Sequence, residues 1–308
     1  AEVAINQPEE PARQGSLKRR MLITPYPMVA RFLSSLRFFA RYEYGCTEQQ
    51  VSKFYPSVML QNLRSEVGLP DWYQPSETQL ASLLSYLDET LTTDGLYSYW
   101  PGSRGYVGLT AYVVEFLSEL RNAGIPFDEK LLEEPRRALI ESLRSDYRYF
   151  VSGYAIRERI EAQAALDRIG HFDAGYAQDL LASAYQADLY SRCTILELFY
   201  RRGMGEQSGV IRLLDSVWES LVFRLSGGKE VFAGFDYQTG RRGGLVLASE
   251  IKTLAAVYRG LSAAAPEDPR TALVLEELLK RGSSDGWGST QGNVQALLAL
   301  KGALSSEQ

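Results

Sequence analysis

Two residues of this chain have types and spacing that could close a bond with each other. Cys46 and Gln49 stand three apart in Tyr42-Glu43-Tyr44-Gly45-Cys46-Thr47-Glu48-Gln49-Gln50. In a helical turn, side chains at that spacing share one face with Cβ atoms about 5–6 Å apart. A Cys46 sulfur could then attack the Gln49 side-chain carbonyl, expel ammonia and leave an internal thioester. Gly45 permits a sharp turn and a close backbone approach. A helix starting near Cys46 would favour the thiolate through its N-terminal dipole. The product is an electrophile that must be kept dry, and Tyr42, Tyr44 and Phe54 are the local candidates for a shield. The same four residues also suit a buried cysteine beside an exposed helical glutamine, because short patterns arise by chance.

Other groups offer rival chemistry. Asp94, Asp236 and Asp285 each lie in a glycine-aromatic loop, and paired carboxylates facing one cleft would make a glycosidase. A terpene-cyclase-like enzyme is a further option on the same kind of scaffold. A cysteine hydrolase would need a base near Cys46, and His171 is the single histidine. A non-covalent binding module with a structural Cys46 completes the alternatives. Glu48 reads as an orienter of the turn or, preferably, as a first-turn acid suited to the helix dipole. Ser289-Thr290 before a helix reads as an N-cap, and Trp287 and Gln291 as structural. Cys193, in an apolar helical run, reads as a small buried hydrophobe, and a Cys46–Cys193 disulfide is open on count alone.

The elements that must position these groups are helical. Apolar residues fall at helical spacing in PMVARFLSSLRFFARY, ETQLASLLSYLDETL, LTAYVVEFLSELRNAG, LEEPRRALIESLRS, YAQDLLASAYQADLYSRCTILELFYRRG and LASEIKTLAAVYRGL. Gly124, Gly203 and Gly260 are read as C-terminal stops. Short strands are expected at LKRRMLITP and at Lys229–Phe235. A glycine-aromatic turn leading into an amphipathic helix recurs near Asp94–Trp100, Gly227–Phe232 and Asp285–Gln291. Stacked helical hairpins bury their apolar faces best when they close on themselves. The expected fold class is all-α: an α/α toroid of helical hairpins over residues 21–305, with a short extended N-terminal segment. Residues 1–20, polar and proline-bearing, read as a linker from a preceding domain. A net charge of −5 leaves no basic surplus for phosphates, so nucleic acid is not an expected partner. No stretch reaches the ~20 apolar residues of a membrane span, and no membrane contact by this domain is expected.

YGCTEQ resembles the Gly-Cys-x-Glu-Gln thioester signature of the alpha-2-macroglobulin and complement family. KFYPSVML, GLYSYWPG with its following helix, and DGWGSTQGNVQALLAL resemble further elements of the bacterial branch, in family order, over roughly residues 20–305. The resemblance implies a thioester between Cys46 and Gln49, supported by Gly45 and Glu48, on an early helix and exposed only after a bait elsewhere in the full protein is cut. It implies a protease trap rather than an enzyme, with no cofactor or metal. Proteases would be caught through lysine amines, the neighbouring domains of the same protein would complete the shield, and the setting would be periplasm or cell envelope. In some complement members a downstream histidine redirects the thioester towards hydroxyls. His171, in Ile169-Gly170-His171-Phe172-Asp173, matches no such position and reads as a turn residue, which leaves amines as the expected acceptors.

Overall fold

The computed structural model of the chain describes residues 28, 31, 35, 38, 39, 45–61, 76–236, 247–283 and 286–306. The expected linker, the LKRRMLITP segment, Tyr42, Tyr44 and Asp285 lie outside the described residues. Among the described residues, eleven α-helices follow in order: α1 (Thr47–Gln61), α2 (Glu77–Thr90), α3 (Val107–Asn122), α4 (Lys130–Ser142), α5 (Ala155–Arg168), α6 (Ala174–Ser183), α7 (Leu189–Arg201), α8 (Ser208–Glu219), α9 (Glu250–Ala264), α10 (Pro269–Arg281) and α11 (Thr290–Ser306). Met28, Arg31, Ser35, Phe38 and Phe39 are helical as well.

The odd-numbered helices close a ring. α1 packs on α3, α3 on α5, α5 on α7, α7 on α9, α9 on α11, and α11 returns to α1. The even-numbered helices pack outside this ring. The inner helices run parallel, because like ends meet. The Gly108 amide at the start of α3 bonds Glu158 at the start of α5, and Ser118 near the end of α3 bonds the Arg168 carbonyl at the end of α5. An α/α toroid is therefore the architecture, and each outer-to-inner connection lies at the end of the ring where α1 begins.

Local sequence explains the boundaries. Ser76, Asp173, Asp188, Ser249 and Asp268 each cap the helix that follows through a side-chain oxygen. Asp188 also splits YAQDLLASAYQADLYSRCTILELFYRRG, which periodicity alone joins, into outer α6 and inner α7. Gly124 and Gly203 end α3 and α7 with φ of 69° and 67°. Gly260 does not end a helix. It lies inside α9, where an added Cβ would stand 3.1 Å from the Cys193 carbonyl oxygen of α7, so its role is a close helix–helix approach. The strand expected at Lys229–Phe235 is present as β2, and it pairs antiparallel with an unexpected β1 (Leu221–Ser226) through a Gly227-Gly228 turn. All three glycine-aromatic turns precede inner helices, which gives the recurring pattern its structural meaning.

Candidate functional site

Cys46 is the residue before α1, and its carbonyl accepts the first helical bond from the Gln50 amide at 2.9 Å. Gln49 is the third helical residue. Its side chain folds back so that Oε1 accepts the Cys46 amide at 3.1 Å. The backbone amides of Gln49 and Glu48 in turn bond the Cys46 sulfur. This is a capping box in which cysteine stands where serine or threonine is usual. The box places the Cys46 sulfur and the Gln49 carboxamide against one turn of backbone. Gly45 makes room for it: a Cβ there would lie 2.5 Å from Gln49 Cβ and 2.7 Å from its Oε1. Thus the folded-back glutamine and a side chain at position 45 exclude each other.

The thiol differs from the sequence expectation. The helix amides do favour the thiolate, but burial of the half-buried Cys46 outweighs them and the Glu48 charge adds to burial, so the thiol is pushed up. Cys46 is a protonated thiol at neutral pH unless a base or a bond removes the proton. Neither Cys46 nor Cys193 is in a disulfide. Cys193 is fully buried and pushed up to about 12 by burial, as befits an inert core residue.

Three ties from three directions hold the first turn of α1, whose leading amides have no partners within the helix. The Thr47 amide donates to the Tyr99 carbonyl at 3.0 Å, and its hydroxyl donates to the Ser98 carbonyl at 2.6 Å, in the loop before α3. Glu48 accepts from Ser52 at 2.7 Å and from Thr290, the first residue of α11, at 2.9 Å. Ser52 shares a further bond of 2.7 Å with the Tyr112 hydroxyl of α3. Glu48 is the first-turn acid read from sequence, and it is buried and tied on both flanks. It is 4% exposed, and burial pushes its carboxyl up. Phe54 is buried. Tyr86 of α2 and Tyr99 stand near Cys46. Both phenols are raised first by burial and also by charge on the sulfur. Sequence spacing pointed to Tyr42 and Tyr44, and it missed these two because they arrive from other elements.

The other candidates separate from this corner. His171 is exposed and follows α5, at the far end of the ring from Cys46, where its amide bonds the Leu166 carbonyl at 2.9 Å. Asp94 and Asp236 are exposed. Trp287 is buried with its indole donating to the Leu278 carbonyl, and the Ser289 hydroxyl accepts the Gly292 amide, as an N-cap does. Sequence reading also missed a set of charged groups along the ring axis. Lys252 bonds Glu161 at 3.1 Å, Arg259 bonds Glu197 at 3.1 Å, and Arg168 lies 3.7 Å from Glu115. Their signal was a glutamate inside an apolar helical face, as in VVEFLSEL. Burial raises Glu115, whereas Arg259 and Arg168 hold Glu197 low despite its burial. That divergence suits an acid–base pair, but the cavity between them is about 30 Å³, room for one or two waters. The ion pairs fill the axis where a sugar would have to bind.

No family model matches the chain. Over 124 residues, 39% of the chain, it is 32% identical to an alpha-2-macroglobulin of Xylella fastidiosa, of which it covers 7%. Its fold is similar to the crystal structure of Salmonella alpha-2-macroglobulin reacted with methylamine, with a TM-score of 0.68 and 16% identity over 88% of this chain and 17% of that one. It is similar also to native Escherichia coli alpha-2-macroglobulin from domain MG7 to the C-terminus, with a TM-score of 0.68 and 17% identity over 88% of this chain and 42% of that one. Escherichia coli alpha-2-macroglobulin activated by porcine elastase gives a TM-score of 0.60 and 19% identity over 84% of this chain and 23% of that one. The resemblance to bacterial alpha-2-macroglobulins thus holds in sequence over part of the chain and in fold over most of it. The chain spans only a minor part of the length of each of these relatives.

Proposed function

We propose that this chain is the thioester domain of an alpha-2-macroglobulin-like protease trap, acting once per molecule rather than as an enzyme. The observation that carries the reading is the fold-back of Gln49 over Gly45 onto the Cys46 amide. In the forming step, the Cys46 sulfur bonds the Gln49 carboxamide carbon, the C–N bond breaks, and the amide nitrogen leaves as ammonia with the thiol proton. In the capture step, a lysine amine of a protease bonds the same carbon. The C–S bond breaks, and the amine proton returns to sulfur as Cys46 becomes a thiol.

The likeness to structures described as reacted with methylamine and as activated by elastase supports an amine-reactive, protease-activated protein. Among the described residues, five of the six exposed large apolar side chains are Trp100, Tyr149, Tyr185, Val222 and Leu225. All five lie in outer-to-inner connections, at the end of the ring that carries Cys46. Such a concentration suits cover by neighbouring domains of the same protein, and those domains would complete the shield that Tyr86 and Tyr99 begin. The setting proposed is the bacterial envelope. Within the described residues, no helix is long and apolar enough to cross a membrane. Incubating the native protein with trypsin tests the reading. Wild type should give a denaturant-resistant adduct, and Cys46→Ala and Gln49→Ala should give none; adduct from either variant would show that another group forms the bond. With a primary amine and glycerol at matched concentration, the amine should be the acceptor. Glycerol incorporation lost in His171→Ala would reverse that expectation.

A further inference from the structure

We infer that Thr290 and Glu48 form a latch that positions the Cys46–Gln49 pair, so that closure of the ring between α11 and α1 sets the lifetime of the reactive bond. The inference rests on the thioester reading above and names the residues that regulate that site from outside it. The bond from the Thr290 hydroxyl to Glu48 Oε2 joins residues 242 positions apart, across the seam where the last inner helix meets the first. The orientation of α11 follows from its neighbours. Successive helical residues turn by about 100°. Gly292 lies against Ile251 of α9, and Asn293 bonds Ser35. Thr290 is thereby directed at α1.

Glu48 is held from both flanks, by Thr290 on one and by Ser52 with Tyr112 of α3 on the other. A carboxyl gripped from two neighbouring helices fixes the rotation of the first turn of α1 about its own axis. Gln49 is the next residue, so its direction is fixed by the same grip. If the turn rotates, Gln49 moves off Gly45 and the Cys46 amide, and the bond opens to water. A buried carboxyl without its donors is costly, so loss of Thr290 favours such rotation. Ser35 and Asn293 make a second bond to α11, of 2.8 Å and buried like the first, and neither partner belongs to α1. It supplies the control.

The experiment uses native full-length protein purified without amines, and it follows two quantities: the rate at which Cys46 becomes a free thiol, and the unfolding temperature. Thr290→Val should free the thiol about tenfold faster or more, the effect of losing a hydrogen bond to a charged group. Thr290→Ser should restore the wild-type rate. Ser35→Ala should lower the unfolding temperature while leaving thiol release at the wild-type rate. Equal release from Thr290→Val and Ser35→Ala, or no rescue by serine, would overturn the latch. Wild type with no amine-releasable thiol at all would instead overturn the thioester reading itself.

Discussion

The chain contains the same cap twice, with different consequences. At the start of α2, Ser76 and Gln79 form a capping box: the Gln79 amide donates to the Ser76 hydroxyl at 3.2 Å, and the Ser76 amide donates to Gln79 Oε1 at 3.0 Å. At the start of α1, Cys46 and Gln49 use the same positions, with the corresponding amide-to-Oε1 bond at 3.1 Å. Ser76 is exposed on an outer helix; Cys46 is half-buried on an inner one. The α1 box adds a glycine beneath the glutamine and the external ties through Thr47 and Glu48. An ordinary helix cap thus already brings a nucleophile to a carboxamide. What distinguishes the Cys46 box is sulfur in place of oxygen, partial exclusion of water, and a first turn held from outside.

The sharpest way to break that comparison is Gly45→Ala. Its Cβ would collide with Gln49 Cβ at 2.5 Å, so the amine-released thiol should disappear altogether, measured by thiol counting before and after methylamine. The second capping box should be untouched. A smaller effect is expected on the exposed box. Ser76→Ala should cost about 1 kcal/mol in chemical denaturation and leave the thiol count alone. The third test uses pH. Glu48 has a folded-state pKa above its ordinary 4.5, with burial as the first cause. Its contribution to stability is therefore present below that value and lost as pH rises through the raised one. Denaturation midpoints of Glu48→Gln should accordingly gain on wild type as pH rises from about 4 to 7. A constant difference would mean that Glu48 keeps its ordinary affinity for protons. The smallest expected effect is none. Ser76→Cys creates a second Cys-x-x-Gln box, but exposed and without the outside ties, and its intact mass should show no lost ammonia there. A second loss would mean that cap geometry alone suffices.

Much of the architecture was legible because helical periodicity and recurrent glycine-aromatic turns are local signals. Gly260 was misread for the same reason. A glycine near an apolar run looks like a stop, and only the approach of Cys193 from α7 shows why it sits mid-helix. At the site, Cys46, Gln49 and the room left by Gly45 follow from spacing. The state of the thiol does not, since it depends on how much burial opposes the helix amides. The ties of Glu48 could not be read from its place in the first turn, because its partner Thr290 lies 242 residues away, beyond any local pattern. The axial ion pairs were hidden likewise: each partner sits on a different inner helix, and charge on a helix ordinarily means solvent.

The most direct measurement is the intact mass of the native full-length protein, taken before and after methylamine together with a count of reactive thiols. The native mass should be short by one ammonia, with no reactive thiol at Cys46. Methylamine should then add its full mass at residue 49 and release one thiol. A native mass equal to that of the unmodified sequence, with Cys46 reactive from the start and methylamine adding nothing, would contradict it.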